Sequence, residues 1–144
     1  MHHPWFGKNG KHKENEFNQV QKFHKLFTDY DVTFVFTGHN HNWQRTHQVT
    51  YNSNEPRDPK VSDGSSPYSR ADAGIIVIGT GGGGHDSSPG YALSEDFGND
   101  NFFAYSNKST NGVHELVASN GGLTITGKFR GNNGDTFDTF VINA

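Results

Sequence analysis

Two short, unbroken apolar runs limit what this chain can fold into more than any other feature: VTFVFT at residues 32–37 and GIIVIG at residues 74–79. Neither alternates apolar with polar positions, and both are rich in β-branched or aromatic residues. That is the pattern of strands buried on both faces. A strand of this kind needs a cover on each side. One cover is written just upstream, in ENEFNQVQKFHKLFTDY at residues 14–30. Phe17, Val20, Phe23, Phe27 and Tyr30 recur there at spacings of three and four, with Leu26 alongside, which predicts an amphipathic helix bearing that apolar face.

The remainder of the chain is β-rich. Residues 46–51, THQVTY, alternate as a strand, and residues 52–73, rich in Asn, Ser, Pro and Asp, read as a long loop. Residues 87–100 also read as loop. Residues 102–105, 113–118, 123–129 and 136–142 read as four short strands separated by Gly and Asn turns, among them GNNGD at 131–135. The expected fold class is therefore α/β. A helix–strand unit at 1–45 is followed by a mostly antiparallel β-meander at 46–144, all in one domain of 144 residues.

Composition narrows the chemistry. The apolar fraction of 31% is low beside the usual ~45–50%, so a thin core or a large share of loop is expected. Twelve Lys plus Arg against fifteen Asp plus Glu, with no basic block, argue against a surface that tracks nucleic-acid phosphates. No run approaches the roughly 18–20 apolar residues of a membrane span. The absence of cysteine removes disulfides, thiolate metal sites and cysteine nucleophiles together. Any metal must be held by His, Asp, Glu or Asn.

Histidine is the residue type the motifs favour. GHNHNWQR, residues 38–45, follows the first buried strand at its C-terminal end, where open α/β sheets bind ligands. His39 and His41, two apart, can turn both imidazoles toward one cavity, and neutral imidazole nitrogens suit Zn, Fe or Mn. Gly38 before them lets the backbone turn close to the site. The competing reading is a pair of solvent-facing loop histidines. A second cluster, MHHPWF, opens the chain. The glycine run at 81–84 lacks the Lys-Ser/Thr of a phosphate-binding P-loop and reads as a turn, with His85 after it on the surface.

The order HHPWF, amphipathic helix, buried strand, GHNHNWQR and a later strand ending in GTGG resembles the calcineurin-like metallophosphoesterase superfamily. It is most similar to the purple acid phosphatase-like branch, with its His-x-Pro-Trp-Tyr and Gly-His-x-His-x-Tyr-x-Arg motifs. The resemblance implies that this chain is the C-terminal half of a four-layer α/β/β/α sandwich. It implies a metal pair drawn from Fe, Zn and Mn, with His2 and His39 on one metal and His41 on the other. His12 stands where the family places a histidine that contacts phosphate or protonates the leaving group, and a mobile loop residue is the competing reading. Lys11 stands where some members carry another histidine. Trp43 replaces the usual Tyr and Gln44 the usual Glu, while Arg45 is expected to act as a structural fork to a carboxylate or carbonyl.

The family's Asp-x-His, Gly-Asp-x-x-Asp and Gly-Asn-His-Asp/Glu motifs do not occur in this chain. Three histidines over two metals leave each with one or two protein ligands, whereas a catalytic zinc keeps about three. Two expectations follow from this. The chain is a metal-dependent phosphoester hydrolase of acid phosphatase type in fragment form, acting on a phosphate ester. Alternatively it is a non-catalytic β-rich module that binds a metal or a partner through the same surface, or assembles with copies of itself. The partners expected besides a phosphate ester are the missing N-terminal half or further copies of the chain. The resemblance favours an extracellular or periplasmic location.

Overall fold

The computed structural model describes residues 1–3, 18–56, 58–83, 101–107 and 110–144. Lys11, His12, His85, the Pro-Trp-Phe of the opening motif and the loop expected at 87–100 lie outside the described residues. Helix α1 (Asn18–Asp29) leads through a tight turn into β1 (Phe34–Thr37), then β2 (Trp43–Thr46) and β3 (Gln48–Thr50). Strands β4 (Lys60–Asp63), β5 (Tyr68–Ser69), β6 (Ile76–Thr80), β7 (Phe103–Asn107), β8 (Gly112–Ser119), β9 (Thr124–Gly131) and β10 (Thr136–Asn143) complete the order.

The strands form two four-stranded sheets, β1-β6-β2-β7 and β5-β10-β9-β8, and a small β3-β4 pair. The two apolar runs become β1 and β6, which pair in parallel with Phe34 opposite Ile76 and Thr37 opposite Gly79. Their side chains divide between the faces as a double-sided strand requires. Val35 and Val77 pack with Val49, Ile75 and Phe102 on the face that receives Phe27 of α1. Ile76 and Ile78 pack with Tyr68, Phe140 and Ile142 of the second sheet, and Phe34 adds to that cluster. The first sheet is thus covered by the helix on one side and by the second sheet on the other.

Three expectations are corrected. The helix is rotated from its predicted facing: His24 is fully buried and Phe27 half-buried, whereas Phe23 and Leu26 are roughly half exposed and Tyr30 more so. A wide apolar arc does not specify which part meets the sheet, and here His24 fits edge-on beneath the Tyr51 ring with centroids 5.8 Å apart. The stretch 52–73 is not one loop, because it contains β4, paired on β3, and β5, paired in parallel on β10. The short β5 carries Tyr68, one of the most buried side chains. Finally, β7 leaves the meander and pairs with β2 in the first sheet, so the consecutive antiparallel strands of the second sheet are β8, β9 and β10. The GNNGD turn forms as read, with Gly134 at φ 89° and the Gly131 N–H donating to the Asp135 carbonyl at 2.9 Å.

Candidate metal centre

The strand register gathers the motifs at one end of the first sheet. Thr37 ends β1 beside Gly79, and Trp43 begins the antiparallel β2 beside Thr80. The loop at 38–42 and the turn after Thr80 must therefore meet. They meet closely enough that a Cβ on Gly81 would lie 1.8 Å from the Asn40 carbonyl oxygen, and one on Gly82 would lie 2.4 Å from the Trp43 indole nitrogen. Gly81 and Gly82 form a packing turn under the histidine loop. Trp43 is fixed in turn by its Nε1–H donating to the Thr110 carbonyl at 2.7 Å and by stacking on Phe129 with centroids 4.3 Å apart.

Residues 1–3 run beside β1 in the same direction. The Met1 nitrogen donates to the Phe36 carbonyl at 2.8 Å, and the Gly38 N–H donates to the His2 carbonyl at 2.8 Å. This brings the two histidine motifs, 37 positions apart, into contact: His2 Nε2 lies 3.2 Å from His39 Nδ1. His3 joins them, so that one ring nitrogen from each of His2, His3 and His39 lies within 4.8 Å of the others. Among the described residues this is the grouping of ligand side chains with metal-holding geometry, and no carboxylate is part of it. His41 is half-buried in the same loop but stands outside the grouping.

The backbone bends differently from the sequence expectation. Gly38 has no positive φ, and a Cβ there would meet only ordinary contacts at 3.6 Å and 3.7 Å. The turn falls on His39, at φ 64°, with the Asn40 N–H donating to the Gly38 carbonyl at 2.7 Å. This is a three-residue turn with a left-handed centre, a conformation L residues adopt at a cost. A second such bond follows, from the Asn42 N–H to the Asn40 carbonyl at 2.8 Å. The two turns curl the loop around the end of β1 and present the His39 ring to His2.

Arg45 behaves as the structural fork expected of it. Its Nε and Nη2 donate to the two Asp138 carboxylate oxygens at 2.6 Å and 2.9 Å, and Nη1 donates to the Tyr68 hydroxyl at 2.9 Å. The guanidinium lies 4.6 Å from the Phe140 ring centroid. Burial alone opposes the charge, but the Asp138 hydrogen bonds and charge outweigh it and raise the Arg45 pKa. The pair joins β2 of the first sheet to β10 of the second. Nothing in the sequence identified Asp138, 93 positions away, as the partner.

A cavity of about 300 Å³ lies elsewhere, lined by Asp31, Thr33, Gln48, Arg70 and the 71–74 loop. It adjoins the residues that enter β1, opposite the histidines, and none of its lining residues is a histidine. Among the described residues no helix is long and apolar enough to cross a membrane.

The donor set suits a metal. The His2–His39 separation of 3.2 Å is a hydrogen-bond distance between two ring nitrogens, and it is also close to the edge of about 3.3 Å between neighbouring nitrogens in a tetrahedral zinc site with Zn–N of about 2.0–2.1 Å. No protein-family model matches the chain, and no curated protein does. Among solved structures it is similar to a purple acid phosphatase isolated from seeds of yellow lupin (Lupinus luteus), with a TM-score of 0.70 over 99% of this chain at 18% identity. The chain spans 24% of that protein's length. Likeness at such low identity is likeness of fold, and on that ground the chain has a purple acid phosphatase-like fold.

Proposed function

We propose that this chain supplies the histidine side of a metal-dependent phosphoester hydrolase centre of acid phosphatase type, and is the C-terminal half of the four-layer sandwich. The observation that carries the reading is the His2–His39 contact of 3.2 Å, placed at the C-terminal end of a buried strand in a purple acid phosphatase-like fold. His2 and His39 hold one metal, and His41, two residues along the same loop, reaches a second. A bound Fe, Zn or Mn pair supplies the Lewis-acid charge that stabilises phosphoryl transfer from a phosphate ester. The left-handed turn at His39 fixes the direction of its ring, and the tie between the Gly38 N–H and the His2 carbonyl fixes the other ligand against it. His12 is assigned to the phosphate or the leaving group, with Lys11 as a neighbouring positive charge.

The missing ligands are Asp and Asn side chains that must come from another segment. Phe23 and Leu26 on α1 and Tyr30 just after it are exposed, as is Phe36 on the other face of β1, and they are apolar surface for such a segment to cover. The test has two arms. The purified chain, loaded with Zn, Fe or Mn, should retain metal and lose it in His39→Ala. It should hydrolyse an aryl phosphate only when the carboxylate-bearing segment is restored, and in-frame GNH and GDxxD codons upstream of Met1 would identify that segment. Absence of metal from the wild-type chain, together with a defined oligomer in solution, would contradict this reading. It would favour a non-catalytic self-assembling module, for which the same exposed apolar side chains are the supporting observation.

A further inference from the structure

We infer that His3, which no part of the phosphoesterase resemblance assigns to a metal, is a third ligand. With His2 and His39 it would make a site for a single divalent cation of the zinc class, to which no carboxylate among the described residues contributes. The inference rests on the reading of His2 and His39 as a metal-binding pair and changes what that pair does in this chain. A two-histidine site is under-coordinated, since zinc in proteins takes four ligands and a catalytic site keeps about three from the protein. Among the described residues the additional donor that the geometry offers is His3.

The three rings meet edge to face or tilted, His2 and His39 at 75°, His2 and His3 at 80°, and His3 and His39 at 53°. Edge-to-face contact is a geometry that aromatic rings adopt for its own sake, so the position of the ring nitrogens carries the assignment and the angle of the planes does not. Those nitrogens already lie within 4.8 Å of one another. One edge is at the tetrahedral value, and the others close by rotation of side chains on an exposed segment. Both His2 and His3 come from the stretch tied to β1 through the Phe36 and Gly38 backbone, so the segment is anchored without the metal. His2 is exposed, which leaves a fourth position open to solvent.

Such a site fits cations that accept imidazole and tolerate low coordination, zinc foremost and cobalt as its spectroscopic stand-in. It disfavours calcium and magnesium, which select oxygen ligands. The assignment completes one of the two metal positions from this chain's own histidines, and His41 keeps its place toward the second.

Competition between the protein and a chromophoric chelator for Zn²⁺ near neutral pH tests the assignment, with Co²⁺ absorption reporting coordination geometry. Wild-type chain should bind one equivalent of Zn²⁺ and give the intense visible bands of four-coordinate Co²⁺. His3→Ala and His39→Ala should each weaken binding by about tenfold to a hundredfold or more, as loss of a metal-site partner does. Both positions lie on the chain segment or loop at the end of the sheet, and circular dichroism would confirm that each variant folds. Unchanged affinity in His3→Ala, with a loss in His39→Ala, would overturn the role of His3 while leaving His2 and His39 as a metal site. No Zn²⁺ binding by the wild-type chain would overturn both.

Discussion

His39 combines two properties that seldom coincide in one residue without a use: a left-handed backbone at φ 64° and a ring nitrogen 3.2 Å from another histidine. Holding a non-glycine residue in that region costs on the order of 1 kcal/mol or more. His39→Gly should therefore leave the unliganded fold as stable or up to about 1 kcal/mol more stable in urea unfolding, while removing metal binding. Gly38→Ala should change stability by no more than about 0.5 kcal/mol, since the added Cβ meets no close contact. A large loss in Gly38→Ala, with none in His39→Gly, would show that the bend has been placed at the wrong residue. The motif GHNH announced a turn and two ligands in the sequence. Which residue carried the turn depended on the path of β1, which local spacing does not contain.

Two further histidines act on stability rather than chemistry. Burial lowers the pKa of His24 to about 4, opposed by a backbone hydrogen bond with Val49. Burial likewise lowers His114 to about 4, and there the Asp138 charge pulls upward while Arg45 pulls downward. His114 lies between Trp43 and Phe129, with centroids 5.0 Å and 5.5 Å away, and neither of its nitrogens has a hydrogen-bond partner among the described residues. Both imidazoles bind a proton more readily in the unfolded chain. Their contribution is therefore complete above about pH 6.5, falls as pH drops from there toward 4, and is constant below. At most about 3 kcal/mol is involved for each group. Urea midpoints should fall between pH 7 and pH 4.5, and His114→Phe should flatten that fall. An identical slope in the variant would contradict a neutral, half-buried His114.

At the scale of elements, β1, β6 and the strands from β8 to β10 were legible because each carries its own hydrophobic pattern and turn punctuation. The helix was legible as a helix and not in its facing, because Phe23, Leu26 and Tyr30 supply apolar character to a side that remains exposed. Strands β4 and β5 were invisible for a different reason. KVSD and YS are too short and too polar to show a period, and they exist because β3 and β10 offer backbone partners. The tie between β2 and β10 lies beyond local pattern as well. Arg45 and Asp138 are almost fully buried, with side chains 5% and 9% exposed. Removing one charge from such a pair strands the other. Arg45→Ala should cost about 3–5 kcal/mol in unfolding free energy, and Arg45→Lys should recover only part of it because the planar fork is lost. Replacing both residues with apolar side chains should cost less than Arg45→Ala alone. A double variant worse than the single would show that the ion pair itself, rather than the avoidance of a lone buried charge, holds the sheets together.

For the whole molecule, the low apolar content does not prevent two core clusters from forming, one under the helix and one between the sheets. What it leaves open is the end of the first sheet, where the histidine motifs meet in a purple acid phosphatase-like fold. That His2 and His39 would converge was legible only through the resemblance, since nothing local in MHHPWF or GHNHNWQR shows that the two lie side by side. The approach of His3 to that pair was not legible at all, because adjacent residues in an extended segment ordinarily point apart. Anomalous diffraction at the zinc edge from crystals of the chain grown with Zn²⁺ tests the account most directly. It predicts one strong peak about 2.0–2.1 Å from both His2 Nε2 and His39 Nδ1, whereas a zinc-loaded crystal with no density between those two rings would contradict it.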